Sequence, residues 1–363
     1  MRNSVALLAL GAGLLGCGTE PEVCPAAPCS DGGSSVVHPV LAPDALLFAS
    51  DRSGAGDIYA IRTDGTGLEQ VTAHPDPESG PSISNDRTRV AFHRRRTEFR
   101  YTQGWVLGLA AGDSLELPTG GDNVVYPIAW APHDRSVAFL VSPSHSGISR
   151  TGIRAVAAGG IDGSVGNSFS GTPRWMPAGD SLLIDYRRMA GGGPLELWHA
   201  ATRFCQTCDP GCWNGSCPGA RILARVVTDD PTVAPDGRSI AVVREDTMWR
   251  ISVADTASQV LAGPVNGAVP TVLRWSPTGE WIAFVAGGDV YVIRPDGSQL
   301  RNVSTHAAPD AEPAWAPDGA RLAFTSERDG NKEIYVVGVD GTGLRNLTNS
   351  PAMDEQPNWS PIR

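Results

Sequence analysis

The amino-acid sequence predicts an all-β fold, a β-propeller of four-stranded antiparallel blades. The first observation is a unit of about 44 residues that recurs along most of the chain, a period found in propellers and other repeat architectures. The second is that one unit is divided: residues 47–72 lack the usual opening segment, which reappears at residues 356–361. A divided unit predicts a ring closed by pairing of a C-terminal strand with N-terminal strands, which hides the sheet edges.

Seven copies of the opening segment predict seven blades. Each copy has a Trp, Ile or Val with Pro or Asn two residues later, and we call this residue the anchor. The anchors are Ile83, Trp130, Trp175, Val233, Trp275, Trp315 and Trp359. Their spacings are 47, 45, 58, 42, 40 and 44 residues, and the longest interval contains the cysteine-rich segment 205–217. Six blades would require one degenerate unit, the weakest being the third, whose outer strand near Ser164–Ser168 has little apolar pattern.

The best-defined copy predicts four short strands per unit. They are expected at Pro313–Ala316, Arg321–Thr325, Ile334–Val339 and Leu344–Leu347. Leu322 and Phe324 alternate with Ala323, the period of two that is typical of a strand between two layers. Asp-Gly pairs between the strands indicate tight turns, because glycine accepts a positive φ. The anchor tryptophans are expected to pack between neighbouring blades.

The repeat resembles that of the TolB-like β-propeller family. The matching segments are Pro313-Ala-Trp-Ala-Pro-Asp-Gly, Phe324-Thr-Ser-Glu-Arg-Asp-Gly, Glu333-Ile-Tyr, Asp340-Gly-Thr-Gly and Pro357-Asn-Trp-Ser-Pro. The resemblance covers about residues 44–363 and implies the fold more than a function, since this repeat also occurs in peptidases and polysaccharide lyases. TolB has a separate α/β domain before its ring, whereas residues 18–43 are too few and too rich in Pro, Gly and Ser to form one. This difference argues against a direct role in a Tol-type machine.

The first 16 residues resemble the signal peptide of a bacterial lipoprotein. Arg2 precedes an apolar run over residues 5–15 that is too short to span a membrane. The following Leu14-Leu15-Gly16-Cys17 resembles a lipobox, which implies that Cys17 carries lipid; the alternative is an ordinary signal peptide with a chance cysteine. Residues 17–43 are then expected to be a flexible tether to the propeller at 44–363. Gly18 favours the outer membrane, on its periplasmic or surface face.

The six other cysteines predict disulfides, because the count is even and an exported protein meets an oxidising compartment. Cys24 and Cys29 are expected to pair within the tether. Cys205, Cys208, Cys212 and Cys217 predict two disulfides that staple a loop. The alternative is a zinc knuckle of four thiolates.

The charge balance argues against a nucleic-acid partner, since the formal net charge is −10 and the charges are interspersed. The one basic run lies within residues 87–100 and includes Arg94-Arg95-Arg96. We expect it to be a solvated hairpin, with an anion or lipid-headgroup site as the alternative.

Three acidic residues stand three positions before the anchor proline in neighbouring blades, and are expected at the channel mouth. They are Glu78, Asp310 and Asp354, reinforced by Glu312 and Glu355. Clustered carboxylates repel one another unless a cation lies between them. This arc therefore predicts a site for a divalent cation or for a partner segment that carries Lys or Arg. The alternative is that these carboxylates accept backbone N–H bonds in the turn before the strand.

Two histidines occupy equivalent positions beside this arc. His74 and His306 each lie two residues after a Thr or Ser, and they could act as metal ligands or as a proton-transfer pair; the alternative is a structural role. The sequence contains no Gly-x-Ser-x-Gly nucleophile motif and no phosphate-binding glycine loop.

Together these features predict a non-catalytic envelope lipoprotein whose propeller binds a protein or peptide partner at the channel mouth. The alternative function is a metal-assisted polysaccharide lyase or hydrolase on the same scaffold. We expect a monomer that contacts the membrane only through its lipid and needs no cofactor other than a divalent cation in the channel.

Overall fold

The computed structural model describes residues 41–98, 101–117, 123–142, 150–156, 163–167, 173–186, 195–201, 221–226 and 231–359. Within these ranges every regular element is a β-strand, and the strands form seven four-stranded antiparallel sheets. The predicted all-β propeller is therefore confirmed, and the number of sheets agrees with the number of anchors. In this part of the chain no helix is long and apolar enough to cross a membrane.

The strands of the first four blades, each given from the innermost to the outermost, are as follows. Blade 1 consists of β28 (Asp354–Trp359), β1 (Ala45–Ser50), β2 (Asp57–Arg62) and β3 (Glu69–Gln70). Blade 2 consists of β4 (Glu78–Ile83), β5 (Arg89–Arg96), β6 (Tyr101–Gly108) and β7 (Ser114–Glu116). Blade 3 consists of β8 (Asn123–Trp130), β9 (Ser136–Ser142), β10 (Arg150–Ala155) and β11 (Gly163–Asn167). Blade 4 consists of β12 (Arg174–Trp175), β13 (Ser181–Tyr186), β14 (Leu195–Ala201) and β15 (Arg221–Val226).

The remaining three blades have the same order. Blade 5 consists of β16 (Thr232–Val233), β17 (Ser239–Arg244), β18 (Thr247–Ser252) and β19 (Ser258–Ala262). Blade 6 consists of β20 (Thr271–Trp275), β21 (Ile282–Ala286), β22 (Asp289–Ile293) and β23 (Arg301–Asn302). Blade 7 consists of β24 (Asp310–Trp315), β25 (Arg321–Ser326), β26 (Glu333–Gly338) and β27 (Arg345–Asn346). In this last blade the innermost strand begins three residues before the predicted start, and the outermost strand is shorter than predicted.

The two ends of the chain meet in blade 1. Strand β28 pairs antiparallel with β1, with Trp359 opposite Leu46 and Asp354 opposite Ser50. Each innermost strand contacts the innermost strands of both neighbouring blades, in the order β4, β8, β12, β16, β20, β24, β28 and back to β4. All seven anchors are the last residues of these innermost strands. The repeat in the sequence thus places one equivalent segment of every blade around a common axis.

Apolar packing between adjacent blades holds the ring together. In five blades the second strand contributes a phenylalanine that is at most 1% exposed: Phe48, Phe92, Phe139, Phe284 and Phe324. Three of the five anchor tryptophans link blades by hydrogen bonds. The indole N–H groups of Trp130, Trp175 and Trp315 donate to the carbonyls of Ser82, Ala129 and Arg274, at 2.8, 3.0 and 2.8 Å respectively. Each acceptor belongs to the preceding blade, as expected for residues that pack between blades.

The innermost strands carry β-bulges. The pairing with the second strand shifts register in β4, β8, β20, β24 and β28. In four of these strands the residue three before the anchor has a left-handed backbone, with φ between 52° and 62°: Gly80, Val272, Glu312 and Gln356. A bulge bends its strand and redirects a side chain, and here it acts on the wall of the central channel.

Candidate functional site in the central channel

A cavity of about 610 Å³ is lined by the innermost strands of all seven blades, and it is therefore the central channel of the propeller. The residue immediately before the anchor lines the cavity in every blade. We call these seven residues the collar: Ser82, Ala129, Arg174, Thr232, Arg274, Ala314 and Asn358. Two members are arginines and none is acidic. The collar has a clear signal in the sequence, one position before each anchor, which the sequence-based prediction did not use.

The left-handed residues form a second layer of the channel wall, and two of their side chains connect blades. The N–H of Gln356 donates to Glu312 Oε2 at 2.8 Å, and the N–H of Gly80 donates to Gln356 Oε1 at 2.6 Å. Glu312 also accepts a hydrogen bond from Thr325 Oγ1 at 2.8 Å. These bonds hold the Glu312 carboxylate in a defined position in blade 7.

Blades 4, 5 and 6 contribute the cationic side of the channel. Arg174 and Arg274 are half-buried and flank Thr232 in the order of the blades. Arg174 Nε donates to the carbonyl of Pro231 at 3.2 Å, and Arg274 Nη1 donates to the carbonyl of Leu273 at 2.8 Å. The described wall of the channel therefore has basic side chains on blades 4 and 6, and the acidic side chain of Glu312 on the adjacent blade 7.

The three carboxylates of the predicted arc begin the innermost strands of blades 2, 7 and 1 and are buried, with side-chain exposures of 0%. Each pairs with an arginine of its own blade: Glu78 with Arg94 at 2.9 Å, Asp310 with Arg328 at 3.0 Å and Asp354 with Arg52 at 2.6 Å. None of the three is among the residues that line the described cavity. Their charges are matched inside the blades, which differs from both sequence-based readings of the arc.

Each arginine of these pairs lies over two aromatic rings of its blade, which adds a cation–π contact. Arg328 Cζ lies 4.5 Å from the ring centre of Tyr335 and 5.6 Å from that of Phe324, and Arg52 and Arg94 have equivalent positions. Burial raises the pKa of Glu78, although hydrogen bonds from Thr72 and Arg94 and the Arg94 charge act in the opposite direction. Arg94 was expected in a solvated hairpin, and this expectation is wrong because its side chain is only 8% exposed.

The two remaining acidic candidates are separated. Glu312 lines the channel, as described above. Glu355 pairs instead with Lys332, at 2.6 Å, and both side chains are about one-third exposed. The hydrogen bond to Glu355 raises the pKa of Lys332.

The two predicted histidines order the turns that lead into innermost strands. His74 Nδ1 accepts a hydrogen bond from the N–H of Asp76 at 2.9 Å, and His306 Nδ1 accepts one from the N–H of Ala308 at 3.0 Å. The histidine that does line the channel is His93 of β5. It fits there because Gly80 lacks a side chain, and a Cβ on Gly80 would lie 3.0 Å from His93 Nδ1.

In the described ranges, no group of three or more His, Cys, Asp or Glu side chains is arranged to hold a metal ion. The lipidation candidate and all six disulfide candidates lie outside those ranges: Cys17, Cys24, Cys29, Cys205, Cys208, Cys212 and Cys217.

Comparison with known proteins relates this chain to TolB. The family model described as TolB beta propeller domain matches residues 222–362. A Protein TolB homolog of Chlorobium luteolum is 29% identical over 115 residues, which are 30% of this chain and 26% of that protein. The match thus spans about a quarter of the length of that relative.

Two solved structures share the architecture. TolB from Acinetobacter baumannii superposes with a TM-score of 0.54 at 14% identity, covering 89% of this chain and 68% of that one. Oligogalacturonate lyase from Vibrio parahaemolyticus superposes with a TM-score of 0.61 at 12% identity, covering 82% of this chain and 86% of that one. At such identities the similarity shows the fold alone.

Proposed function

We propose that this chain, which is a TolB-like β-propeller protein, is a non-catalytic lipoprotein of the bacterial envelope that binds a segment of a protein partner in its central channel. The observation that carries the proposal is the collar, which places one side chain from every blade around a single cavity. Its volume of about 610 Å³ is within the range of specific ligand sites, which combine apolar walls with a few placed polar groups.

The channel supports recognition because its polar groups are held by the protein before any ligand arrives. Glu312 is fixed by Thr325 and Gln356, and the Gln356 side chain is in turn fixed by Gly80. Groups that are already ordered lose little conformational entropy on binding. A ring of packed sheets therefore offers a preorganised surface for a peptide segment.

The binding site in this proposal is the interior of the channel and not the predicted acidic arc. Glu78, Asp310 and Asp354 already have buried arginine partners, so binding a cationic partner there would require breaking those pairs. Removing one partner from a buried pair costs about 3–5 kcal/mol.

The proposed location follows from the N-terminal sequence. Cys17 would carry the lipid, residues 17–43 would connect it to the propeller, and the membrane would be contacted through that lipid alone. The similarity to the relative named Protein TolB homolog supports a location in the cell envelope. The outer membrane is the proposed destination, and the partner would be another envelope protein, with the propeller itself a monomer.

The test is cross-linked capture of envelope proteins by the full chain and two variants. Ala314→Arg introduces a long side chain into the collar, where Ala314 is half-buried, and Ala257→Arg makes the same change at an exposed position of blade 5. We expect the parent and Ala257→Arg to capture the same protein, identified by mass spectrometry, and Ala314→Arg to lose it. Thermal unfolding of each variant checks that the propeller is intact.

Two results would contradict the proposal. One is equal capture by all three proteins, which would remove the channel from partner binding. The other is cleavage of oligogalacturonate by the parent that Ala314→Arg abolishes. That result would make the chain an enzyme on the scaffold that it shares with the lyase.

A further inference from the structure

On the basis of the proposed function, we infer that Glu312, Gln356 and Asn358 form a site for a basic residue of the partner segment. The Glu312 carboxylate binds the cationic side chain, and the two side-chain amides donate to backbone carbonyls of the same segment. We call these three residues the polar wall. They belong to the innermost strands of the adjacent blades 7 and 1, they are half-buried, and all three line the central cavity.

Glu312 keeps one carboxylate oxygen for a ligand. Its Oε2 accepts hydrogen bonds from Thr325 Oγ1 and from the N–H of Gln356, both at 2.8 Å. In the described part of the chain, Oε1 accepts no hydrogen bond. Both oxygens of a carboxylate are acceptors, and an oxygen without a protein partner is either hydrated or bound by a ligand. The carboxylate is therefore oriented through one oxygen and available through the other.

The charge of Glu312 is only partly balanced by the protein. Lys332 donates its hydrogen bond to Glu355, at 2.6 Å. That bond raises the pKa of Lys332, and the charges of Glu355, Glu312 and Glu327 act in the same direction. One lysine thus acts on three carboxylates. An ammonium or guanidinium group that enters the cavity beside Glu312 is attracted by the remaining negative charge.

The amide groups of Gln356 and Asn358 are oriented by the neighbouring blade. Gln356 Oε1 accepts a hydrogen bond from the N–H of Gly80 at 2.6 Å, and Asn358 Oδ1 accepts one from the N–H of Ile83 at 3.2 Å. Because a backbone N–H bonds to the oxygen of an amide, these contacts fix which end of each amide is the NH2 group. Among the described residues neither NH2 group has an acceptor, so both can donate to a ligand carbonyl.

The fold does not require polar side chains at these positions. Three residues before the anchor, blade 2 has Gly80 and blade 6 has Val272, with the same left-handed backbone as in the polar wall. One residue before the anchor, blades 3 and 7 have Ala129 and Ala314. The ring therefore accommodates residues without polar side chains at both positions, which favours recognition as the role of the polar wall.

A peptide fits the polar wall better than an acidic polymer does. A polyuronate has a carboxylate on every unit, and Glu312 repels like charge. A peptide has a backbone carbonyl at every residue for the two amides, and it can place one Lys or Arg beside Glu312. The collar residues Arg174 and Arg274 have partners within the protein and take no part in the site.

The test begins with a random hexapeptide library that is displayed on phage and selected on the full chain and on Glu312→Gln in parallel. We expect the parent to enrich Lys or Arg at one position, and the variant not to. A selected peptide is then synthesised with its basic residue and with glutamine in its place, and binding is followed by fluorescence anisotropy. The parent should bind the basic peptide about tenfold more tightly, the size of one charge-assisted hydrogen bond, and Glu312→Gln should lose this preference.

Matched variants keep the test decisive. Glu312→Gln keeps an oxygen for the hydrogen bonds from Thr325 and Gln356 and should unfold at the parent's temperature. Glu280→Gln removes the same charge from blade 6, where the side chain is 62% exposed, and should keep the preference. Asn358→Ala gives blade 1 the collar residue of blades 3 and 7. It should weaken both peptides by about threefold, the size of one neutral hydrogen bond, and leave their ratio unchanged.

Three results would overturn the inference. They are a lack of enrichment of basic residues by the parent, a preference that survives in Glu312→Gln, or Ca²⁺ binding by the parent that displaces the peptide and is lost in Glu312→Gln. All three leave the proposed function intact if Ala314→Arg still loses the captured protein. Failure of the proposed function would instead appear as unchanged capture by Ala314→Arg.

Discussion

Replacing Arg328 with methionine is expected to destabilise the propeller by about 3–5 kcal/mol. The Asp310 side chain is 0% exposed and that of Arg328 is 9% exposed, and Arg328 Nη2 lies 3.0 and 3.1 Å from the two carboxylate oxygens. At an effective dielectric constant of about 20, two unit charges about 3 Å apart interact by about 5 kcal/mol. The variant leaves the Asp310 charge buried without its counterion, so little of this energy is recovered from water.

Arg321→Met is the matched control in the same blade and removes the same charge from a surface pair. Arg321 and Asp318 are 39% and 47% exposed at 3.1 Å. Exposed pairs contribute about 0–1 kcal/mol because water and salt screen them. The difference between the two variants therefore measures the effect of burial on the same type of ion pair.

The assay is urea unfolding of the full chain, with the free energy of unfolding taken from the midpoint and slope. The double variant Asp310→Asn/Arg328→Met should lose less than the sum of the two single variants, because its buried positions no longer carry an unmatched charge. Equal stability of Arg328→Met and Arg321→Met would refute the reasoning, since burial would then have no effect on the pair.

Two further predictions concern pH and location. Burial and the hydrogen bond to Asp329 raise the pKa of Tyr335 from 10.0 to about 12. The folded state therefore holds this proton more tightly than the unfolded state does, and the free energy of unfolding should fall as pH rises from 10 towards 12. Tyr335→Phe should flatten this part of the pH dependence measured by urea unfolding, and an unchanged pH dependence in the variant would contradict the prediction. Cys17→Ser should move the protein from the membrane fraction to the soluble fraction on immunoblots, and continued membrane association would argue against a lipid at Cys17.

The blades were predictable from the sequence because their signals are local. Period-two alternation, Asp-Gly turns and the anchor motif each occupy a few adjacent residues, and every anchor proved to be the last residue of an innermost strand. Even the weakest predicted outer strand, near Ser164–Ser168, coincides with β11 at Gly163–Asn167. The exact strand ends differed, since hydrogen bonding to the neighbouring strand decides where pairing begins.

The burial and the ion pairing of the acidic residues were not predictable in the same way. The sequence placed Glu78, Asp310 and Asp354 correctly at the start of innermost strands, but it indicated neither their burial nor their arginine partners. Arg94 belongs to a run of three arginines in which Arg95 is exposed. A run of like residues on a strand alternates between faces, and the sequence does not show which face is buried.

The sequence by itself determined the repeat, the divided blade and the position of the collar, because each is a regularity of residue order. Only the tertiary structure decided which charges are internal and which face the channel. The partners of Glu78, Asp310 and Asp354 are 16, 18 and 302 residues away in the chain, and they meet because strand pairing brings them together. Burial is a property of the assembled ring, and it distinguishes the three carboxylates inside the blades from the collar residues that line the cavity.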